Sequence, residues 1–428
     1  MNVKKVSTSY FSRISNLYHI LTNPLNFFEK NQQQFGSIFE VPYLMGNITY
    51  LLDPDAIQHV LEKKHLNYPK SSLYDPLKLA LGNGLLTSDG DFWKDQRKKL
   101  QPAFHTNAIA SFCKDISIET DLKLAQIGQR TIDLNQELAD LTINIACRSF
   151  FDLTENSFSD FIFKTTKKLN TFTYKRTLFP FIPLWLPLPS HLAFKRSIKQ
   201  VNETIKKLIA SAANDNKRPS LLSMLVQAKS MSDKQIRDEV LTFLIAGHET
   251  TTNALSFLIY LLSKYDVIRE NVKSEINSII TEEHPSFESL QKLVYTKAVI
   301  NEALRLFPPA WIISRECLKD DTIGNFFISE NTLLVIPTFI IQRNAALWDK
   351  PNDFNPERFL NKDQRKFTFL PFGGGPRFCI GMQFAYTEIL IVLCKLFRYG
   401  DFKVLNTSVT PEFAITLRPK QRLYFKFL

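Results

Sequence analysis

The stretch FGGGPRFCIG, Phe372 to Gly381, sets four glycines around one cysteine in a chain that has 13 glycines among 428 residues. Glycine is costly in backbone entropy, so such a cluster marks unusual φ values or the close approach of another body. The run that follows, MQFAYTEILIVLCKLF from Met382 to Phe397, reads as a buried helix. A thiol just before a helix meets the positive end of its dipole and its unbonded N–H groups, which favours the thiolate. The glycines would let those N–H groups approach the sulfur. Arg377, two residues before Cys379, adds a cation for an anionic group above the loop.

Three rival readings of the loop differ in what they require. A phosphate-binding loop needs G-x-x-x-x-G-K-[ST], which is absent, and the third glycine of G-x-G-x-x-G is replaced here by Phe378. Zinc needs three or four closely spaced ligands, yet all seven histidines lie at or before His284 and the next cysteine is Cys394. An inert buried cysteine is the bland alternative, because a lone cysteine often serves as a small core residue. A thiolate ligand to a large planar cofactor accounts for the glycines, the helix and the arginine together. Haem iron accepts a single cysteine thiolate in that way.

The bulk composition allows such a protein. Hydrophobic residues make up 44% and aromatic residues 12% of the chain, ample for a deep core, and the five widely spaced cysteines form no disulfide framework. No apolar run approaches the length of about 18 residues that a membrane span needs. The first twenty residues lack the apolar core of a signal peptide. A cytoplasmic protein without stable membrane insertion is expected. The net charge of +11 favours an acidic partner. Nucleic acid is the rival reading, but the basic residues are spread through the chain rather than gathered in one arm or stripe, so none is expected.

Two blocks read as β-structure, Phe35–Asp53 and Thr322–Pro337, with a third near the C-terminus around Leu423–Leu428. Between them the apolar spacing is helical. Ile236, Val240 and Leu244, then Leu255, Leu258, Ile259 and Leu262, predict one long helix from Ser232 to Lys264. Its character changes in the middle at AGHETT, Ala246–Thr251, where Gly247 and the threonines are expected to weaken the helix and open a local gap. Glu249 and Thr250 form an acid and alcohol pair able to relay protons. Polar residues on a solvated face are the bland alternative. The fold expected is mainly α with small β-sheets (α+β), as a single domain over residues 1–428.

Other patterns are weak singly and informative together. ExxR occurs as Glu302–Arg305, followed by Pro308-Pro309; PERF, Pro356–Phe359, supplies Arg358; and Trp93 and Arg97 stand at i, i+4 in WKDQRKK. Surface ion pairs and an amphipathic surface helix are their ordinary readings. With the cysteine loop and AGHETT they make five motifs in one order. In that order the sequence strongly resembles the cytochrome P-450 family of haem-thiolate monooxygenases, of the soluble bacterial type, over nearly the whole chain.

The resemblance implies a fold in which haem b lies between the long central helix and the helix after the cysteine loop. It implies that Cys379 is the axial iron ligand and that Ala246 and Gly247 lie over the haem. Thr250 and Glu249 would deliver protons to bound dioxygen. Trp93, Arg97, Arg315, Arg377 and Phe372 would complete the cofactor-binding set, the arginines facing the propionates. Glu302, Arg305 and Arg358 would form a buried brace behind the loop. PPAWIIS, Pro308–Ser314, the turn at Phe413–Ile415 and the proline-rich Phe179–Pro189 would line a pocket for a lipophilic substrate such as a fatty acid, terpenoid or steroid; plain core is the alternative.

No flavin or iron–sulfur motif is visible, so electrons are expected from NAD(P)H through a separate acidic ferredoxin or flavodoxin. Its docking face is expected on Lys94, Arg97, Lys98 and Lys99, with Lys362, Arg365, Lys366, Lys395 and Arg398. A haem-thiolate isomerase, peroxygenase or sensor is the alternative function. The retained Glu249–Thr250 pair argues against it.

Overall fold

The computed structural model describes the chain apart from residues 1–2, 7–8, 44–45, 154–155, 179–181, 214–219, 228–229 and 361–363. Its contacts group the residues into two compact units, each assembled from two chain segments. The first comprises Met1–Tyr74 and Asn301–Cys379, and the second Asp75–Ile300 and Ile380–Leu428.

The first unit is built on a five-stranded sheet in the order Lys4–Lys5, Ile38–Tyr43, Gly46–Leu51, Leu333–Ile336 and Ile313–Glu316. Ile38–Tyr43 pairs antiparallel with Gly46–Leu51. Leu333–Ile336 runs parallel to the latter and antiparallel to Ile313–Glu316. These are the two blocks that β-branched and aromatic residues marked out, although one is distant from the other in sequence. Ile38, Leu51, Ile57, Leu61, Ile313, Leu334, Ile336 and Leu370 share one buried core. Leu370 therefore fixes the start of the cysteine loop to the same core as the sheet.

The second unit is mainly helical, and its long helix runs over Asp233–Lys264. Ser232 caps it, its hydroxyl accepting from the Gln235 N–H while the Gln235 side chain accepts from the Ser232 N–H. Such a reciprocal cap satisfies two donors that a helix start leaves unbonded. Leu134–Phe151 packs along this helix and is joined to it by a hydroxyl pair, Thr142 Oγ1 to Thr252 Oγ1 at 2.7 Å. Phe104, Phe112, Phe150, Phe243 and Phe384 pack ring to ring at centroid distances from 4.6 to 6.2 Å. This cluster ties the helix Met382–Tyr399 to the helices Thr106–Ile127, Leu134–Phe151 and Asp233–Lys264. Two small sheets complete the unit. One orders Ile132–Asp133, Tyr424–Phe427 and Phe402–Val404; the other is the hairpin Pro411–Phe413 with Leu417–Pro419. The mainly α architecture with small sheets agrees with the sequence reading.

One expectation fails. The long helix does not open at AGHETT but stays helical throughout. Each threonine hydroxyl reaches back one turn: Thr250 to the Ala246 carbonyl at 2.7 Å, Thr251 to Gly247 at 3.1 Å and Thr252 to His248 at 2.8 Å. Such bonds share the carbonyl with the helix ladder instead of replacing it.

Candidate active site

Four of the sequence-predicted residues meet on one face of the long helix. From Asp238 to Leu262 every residue is buried except Ala246, Gly247, Glu249 and Thr250. Spacings of three and four put these on one side of a helix. An alanine Cβ at Gly247 would have Phe150 as its nearest neighbour, at 4.0 Å, so the protein packs loosely there. The face is half-buried and made of two small residues with one acid and one alcohol, inside an otherwise buried stretch of helix.

Glu249 is held by residues that sequence reasoning missed. Thr416 Oγ1 donates to its Oε1 at 2.8 Å, and Asn170 Nδ2 donates to its Oε2. Thr416 in turn accepts from Asn253 Nδ2 at 3.1 Å. Each carboxylate oxygen thus has a hydrogen-bond donor. His248, between them in sequence, points elsewhere: its Nδ1 lies 2.6 Å from the Leu244 carbonyl, and burial pushes its pKa down, so it is a neutral core residue.

In the first unit the cysteine loop is closed by backbone bonds. The Cys379 N–H donates to the Phe372 carbonyl at 3.0 Å, Gly373 to Leu370 at 3.1 Å and Phe378 to Gly375 at 3.1 Å. Two of the glycines have the unusual φ that the sequence reading allowed for, and two are approached closely by the protein itself. Gly373 and Gly375 have φ of +75° and +66°, values in the left-handed region that strains a side chain. A Cβ on Gly375 would stand 1.8 Å from the Leu61 carbonyl oxygen, and one on Gly374 2.8 Å from the Phe367 ring. The missing side chains let the loop press on its own unit, against the helical turn His59–Lys63 and Phe367.

Cys379 is exposed, whereas the other four cysteines are buried. Burial pushes the thiols of Cys113 and Cys394 up to about 12 and raises those of Cys147 and Cys317. None of those four offers a thiolate. Among the described residues no group of three His, Cys, Asp or Glu side chains is arranged to hold a bare metal ion. A single accessible sulfur on a rigid loop fits a metal that brings its remaining ligands with it, as haem iron does. The donor set fits that group.

Behind the loop stands the expected brace. Glu302 and Arg305 are fully buried, and Glu302 accepts from Arg305 Nε at 2.7 Å, Arg305 Nη2 at 2.8 Å, Arg358 Nε at 3.3 Å and the Asn355 N–H at 2.9 Å. Arg305 also donates to the carbonyls of Gln342, Pro351 and Asp353, which accounts for every donor of its guanidinium. Gln342 was not foreseen. Its amide donates to the Leu304 and Arg305 carbonyls, and its Oε1 accepts from the Leu370 N–H at 2.7 Å. This side chain couples the brace to the first residues of the loop, and no sequence motif marks it.

The predicted propionate-binding residues divide between the units. Arg315 is buried, with Nη1 on the Ser314 carbonyl at 2.8 Å, and Arg377 is half-buried in the loop. In the second unit Arg97 lies over the Trp93 ring at 5.9 Å on the helix Gly90–Leu100. Of the predicted pocket residues, Trp311, Ile313, Ser314 and Phe413 are buried, while Ala310 is exposed and Ile312, Ala414 and Ile415 are half-buried. Residues 179–181 of the proline-rich stretch lie outside the described residues.

The expected docking cations need revision. Lys94, Lys98, Arg365, Lys366 and Arg398 are exposed. Lys395 is buried and paired with Asp121 at 2.7 Å, so it belongs to the core. Lys99 bonds Asp95 and the Ser230 carbonyl, and Arg365 pairs with Asp55. Lys362 lies outside the described residues.

Comparison with known proteins bears on the whole chain. The family model described as Cytochrome P450 matches residues 9–427. The chain is similar to cyclooctatin synthase of Streptomyces melanosporofaciens, 31% identical over 375 residues, covering 84% of this chain and 82% of that protein. It is 30% identical over 377 residues to cyclooctat-9-en-7-ol 5-monooxygenase of the same organism, covering 84% and 81%. It is 28% identical over 403 residues to protein LUTEIN DEFICIENT 5, chloroplastic, of Arabidopsis thaliana, covering 86% and 68%.

Proposed function

The chain belongs to the cytochrome P450 family and is a haem-thiolate monooxygenase, and on that footing we propose that Cys379 supplies the thiolate and that Thr250 and Glu249 handle protons. The observation that carries the assignment is the pairing of one exposed cysteine, on a loop locked by positive-φ glycines, with four buried ones. Haem bound there supplies reductive activation of O2 and transfer of one oxygen atom to the substrate.

The roles of the chain's own groups follow from their bonds. The Thr250 hydroxyl gives its proton to the Ala246 carbonyl at 2.7 Å, which leaves its lone pairs turned to the accessible side. A water reaching that side could donate to it. Glu249, hydrogen-bonded by Thr416 and Asn170, is the base that exchanges protons with water reaching this face. Arg97, Arg315 and Arg377 supply cations for the two propionates, and Trp93 fixes the plane of Arg97. The brace of Glu302, Arg305 and Arg358 performs no chemistry. It holds the loop so that the sulfur is presented in one geometry.

The substrate is lipophilic: among the half-buried and exposed residues of the two predicted pocket segments, Ala310, Ile312, Ala414 and Ile415 carry no polar side-chain atom. One relative is named for oxidising cyclooctat-9-en-7-ol, which agrees with a largely apolar skeleton. Electrons come from NAD(P)H through a separate acidic ferredoxin or flavodoxin. Lys94, Lys98 and Lys366 are exposed cations for its docking, and opposite potentials would steer the encounter. A screen of lipophilic compounds by the shift of the haem absorption on binding, followed by product analysis with a reconstituted donor, tests this reading. Oxygenated product should form only with donor and O2 together. Turnover of a bound compound without either would favour an isomerase instead.

A further inference from the structure

The loop Gly82–Ser88 presses its backbone directly on the long helix. Gly82 has φ of +73°, and a Cβ there would stand 2.2 Å from the Asp238 carboxylate; one on Gly84 would stand 2.2 Å from Thr242 Oγ1. Across this contact the Asn83 N–H donates to Asp238 Oδ2 at 2.9 Å and the Leu85 N–H to Glu239 Oε2 at 3.0 Å. Asp238 and Glu239 are 2% and 0% exposed. Bonds from backbone N–H groups to carboxylates are charge-assisted and stronger than neutral ones. Arg237 at 2.7 Å and Lys234 at 3.2 Å balance the Asp238 charge. The Thr87 hydroxyl ties the loop to itself, donating to the Gly82 carbonyl at 2.7 Å.

The helix that follows, Gly90–Leu100, takes its position from this loop. Its buried residues are Gln96 and Leu100, so little apolar surface moors it. Gln96 is 0% exposed and both ends of its amide are used. Its Oε1 accepts from Ser88 Oγ at 2.7 Å, and its Nε2 donates to the Asn83 carbonyl at 3.1 Å. Asn83 is therefore held on both sides, by Asp238 through its N–H and by Gln96 through its carbonyl. One run of hydrogen bonds leads from the long helix through the loop to Gln96. Lys99 adds a bond to the Ser230 carbonyl at 3.0 Å, with its side chain 30% exposed.

Gln96 and Arg97 are consecutive, about 100° apart around the helix, and Trp93 shares the Arg97 stripe at i, i+4. Fixing Gln96 inward therefore fixes the direction of Arg97. At a side-chain radius of about 5–6 Å, a helix rotation of about 20° moves a side-chain tip by about 2 Å, enough to break a hydrogen bond.

We propose that Gln96 is a positioning residue: clamped to the loop that Asp238 and Glu239 hold, it sets the rotation of Gly90–Leu100 at which Arg97 meets a haem propionate. This inference rests on the propionate role proposed for Arg97. Gln96 touches no reacting atom and acts through its neighbour.

A double-mutant cycle tests it, read as the rate of haem release from the ferric holoprotein to apomyoglobin and as the propionate bending vibration in the resonance Raman spectrum. Arg97→Leu should speed release about tenfold or more, the effect of one lost hydrogen bond to a charged group, and shift the vibration. Gln96→Leu should move both readouts in the same direction, and add nothing once Arg97 is leucine. Hydrogen exchange should quicken over Gly90–Leu100 in Gln96→Leu while Asp266–Ile279 keeps its protection. Should Gln96→Leu yield no holoprotein, Ser88→Ala removes one of its two bonds and should give the same pattern at smaller size. Equal effects of Gln96→Leu, or of Ser88→Ala in its place, with and without Arg97 would mark a merely structural residue and overturn the proposal, as would readouts that stay at native values. If Arg97→Leu itself leaves release and vibration unmoved, the reading of Arg97 has failed and the inference falls with it. If Arg97→Leu moves them and the Gln96 variant does not, the inference alone has failed.

Discussion

Glu302→Gln perturbs the brace with almost no change of shape, and the structure gives its magnitude. Glu302 is fully buried and accepts four hydrogen bonds, three of them from guanidinium groups. A glutamine turns one oxygen into an NH2 group, which must then face an arginine donor. It also leaves the Arg305 charge buried without its partner. Removing one member of a buried pair costs about 3–5 kcal/mol. The whole stability of a domain is about 5–15 kcal/mol. The variant should therefore lose a fifth or more of its stability and yield little haem-loaded protein. Arg358→Ala is a milder case. Arg358 makes one 3.3 Å contact with Glu302 and one bond to the Lys350 carbonyl, and its side chain is 13% exposed. Arg305 remains to neutralise Glu302, so the loss should be about 1.5–3 kcal/mol, the range for hydrogen bonds to charged groups. Urea unfolding of both variants, with haem content measured on the same samples, separates the two. Equal losses, or a Glu302→Gln midpoint within error of the native one, would refute the geometry of the brace.

Gly375→Ala should fail to retain haem, since a left-handed φ of +66° costs a side chain about 1–2 kcal/mol and the new Cβ would lie 1.8 Å from the Leu61 carbonyl oxygen; haem content at native yield would show that the loop can move. Thr250→Ala should bind haem normally but divert electrons to peroxide or water, read as product per electron consumed, and an unchanged ratio would reduce Thr250 to a packing residue. Thr416→Val, which removes one of the two donors holding Glu249, should move the same ratio in the same direction but less far. Reversal of Lys98 and Lys366 to Glu should slow the first electron transfer and flatten its fall with rising salt, because exposed charges are screened within about 10 Å at 0.1 M; a rate indifferent to both salt and reversal would place the docking site elsewhere.

The local parts of this fold were readable because each depends on short-range physics. Ser232 to Lys264 announced a helix through apolar spacing, and Ser232 with Gln235 forms the cap that such a start needs. The β blocks were visible in β-branched and aromatic runs, although the sheet order joining Gly46–Leu51 to Leu333–Ile336 was not. Cys379, Glu302 and Arg305 sit in motifs of fixed spacing. Gln342, Asn170 and Thr416 do not, since each acts across a distance in sequence through one polar side chain. Sequence reading also misjudged what the threonines do. Hydroxyls that compete for helix carbonyls need not break the helix when they bond one turn back. The glycine cluster signals a backbone requirement, and two of its members make room for Leu61 and Phe367 of the same unit.

The central claim is that Cys379 presents a thiolate to haem iron. It is tested most directly by the absorption spectrum of the reduced protein under carbon monoxide. The native protein should show the strongly red-shifted Soret band of thiolate-ligated haem, and Cys379→His should lose that band even where it still binds haem. The same red-shifted band in Cys379→His would mean that another residue is the ligand.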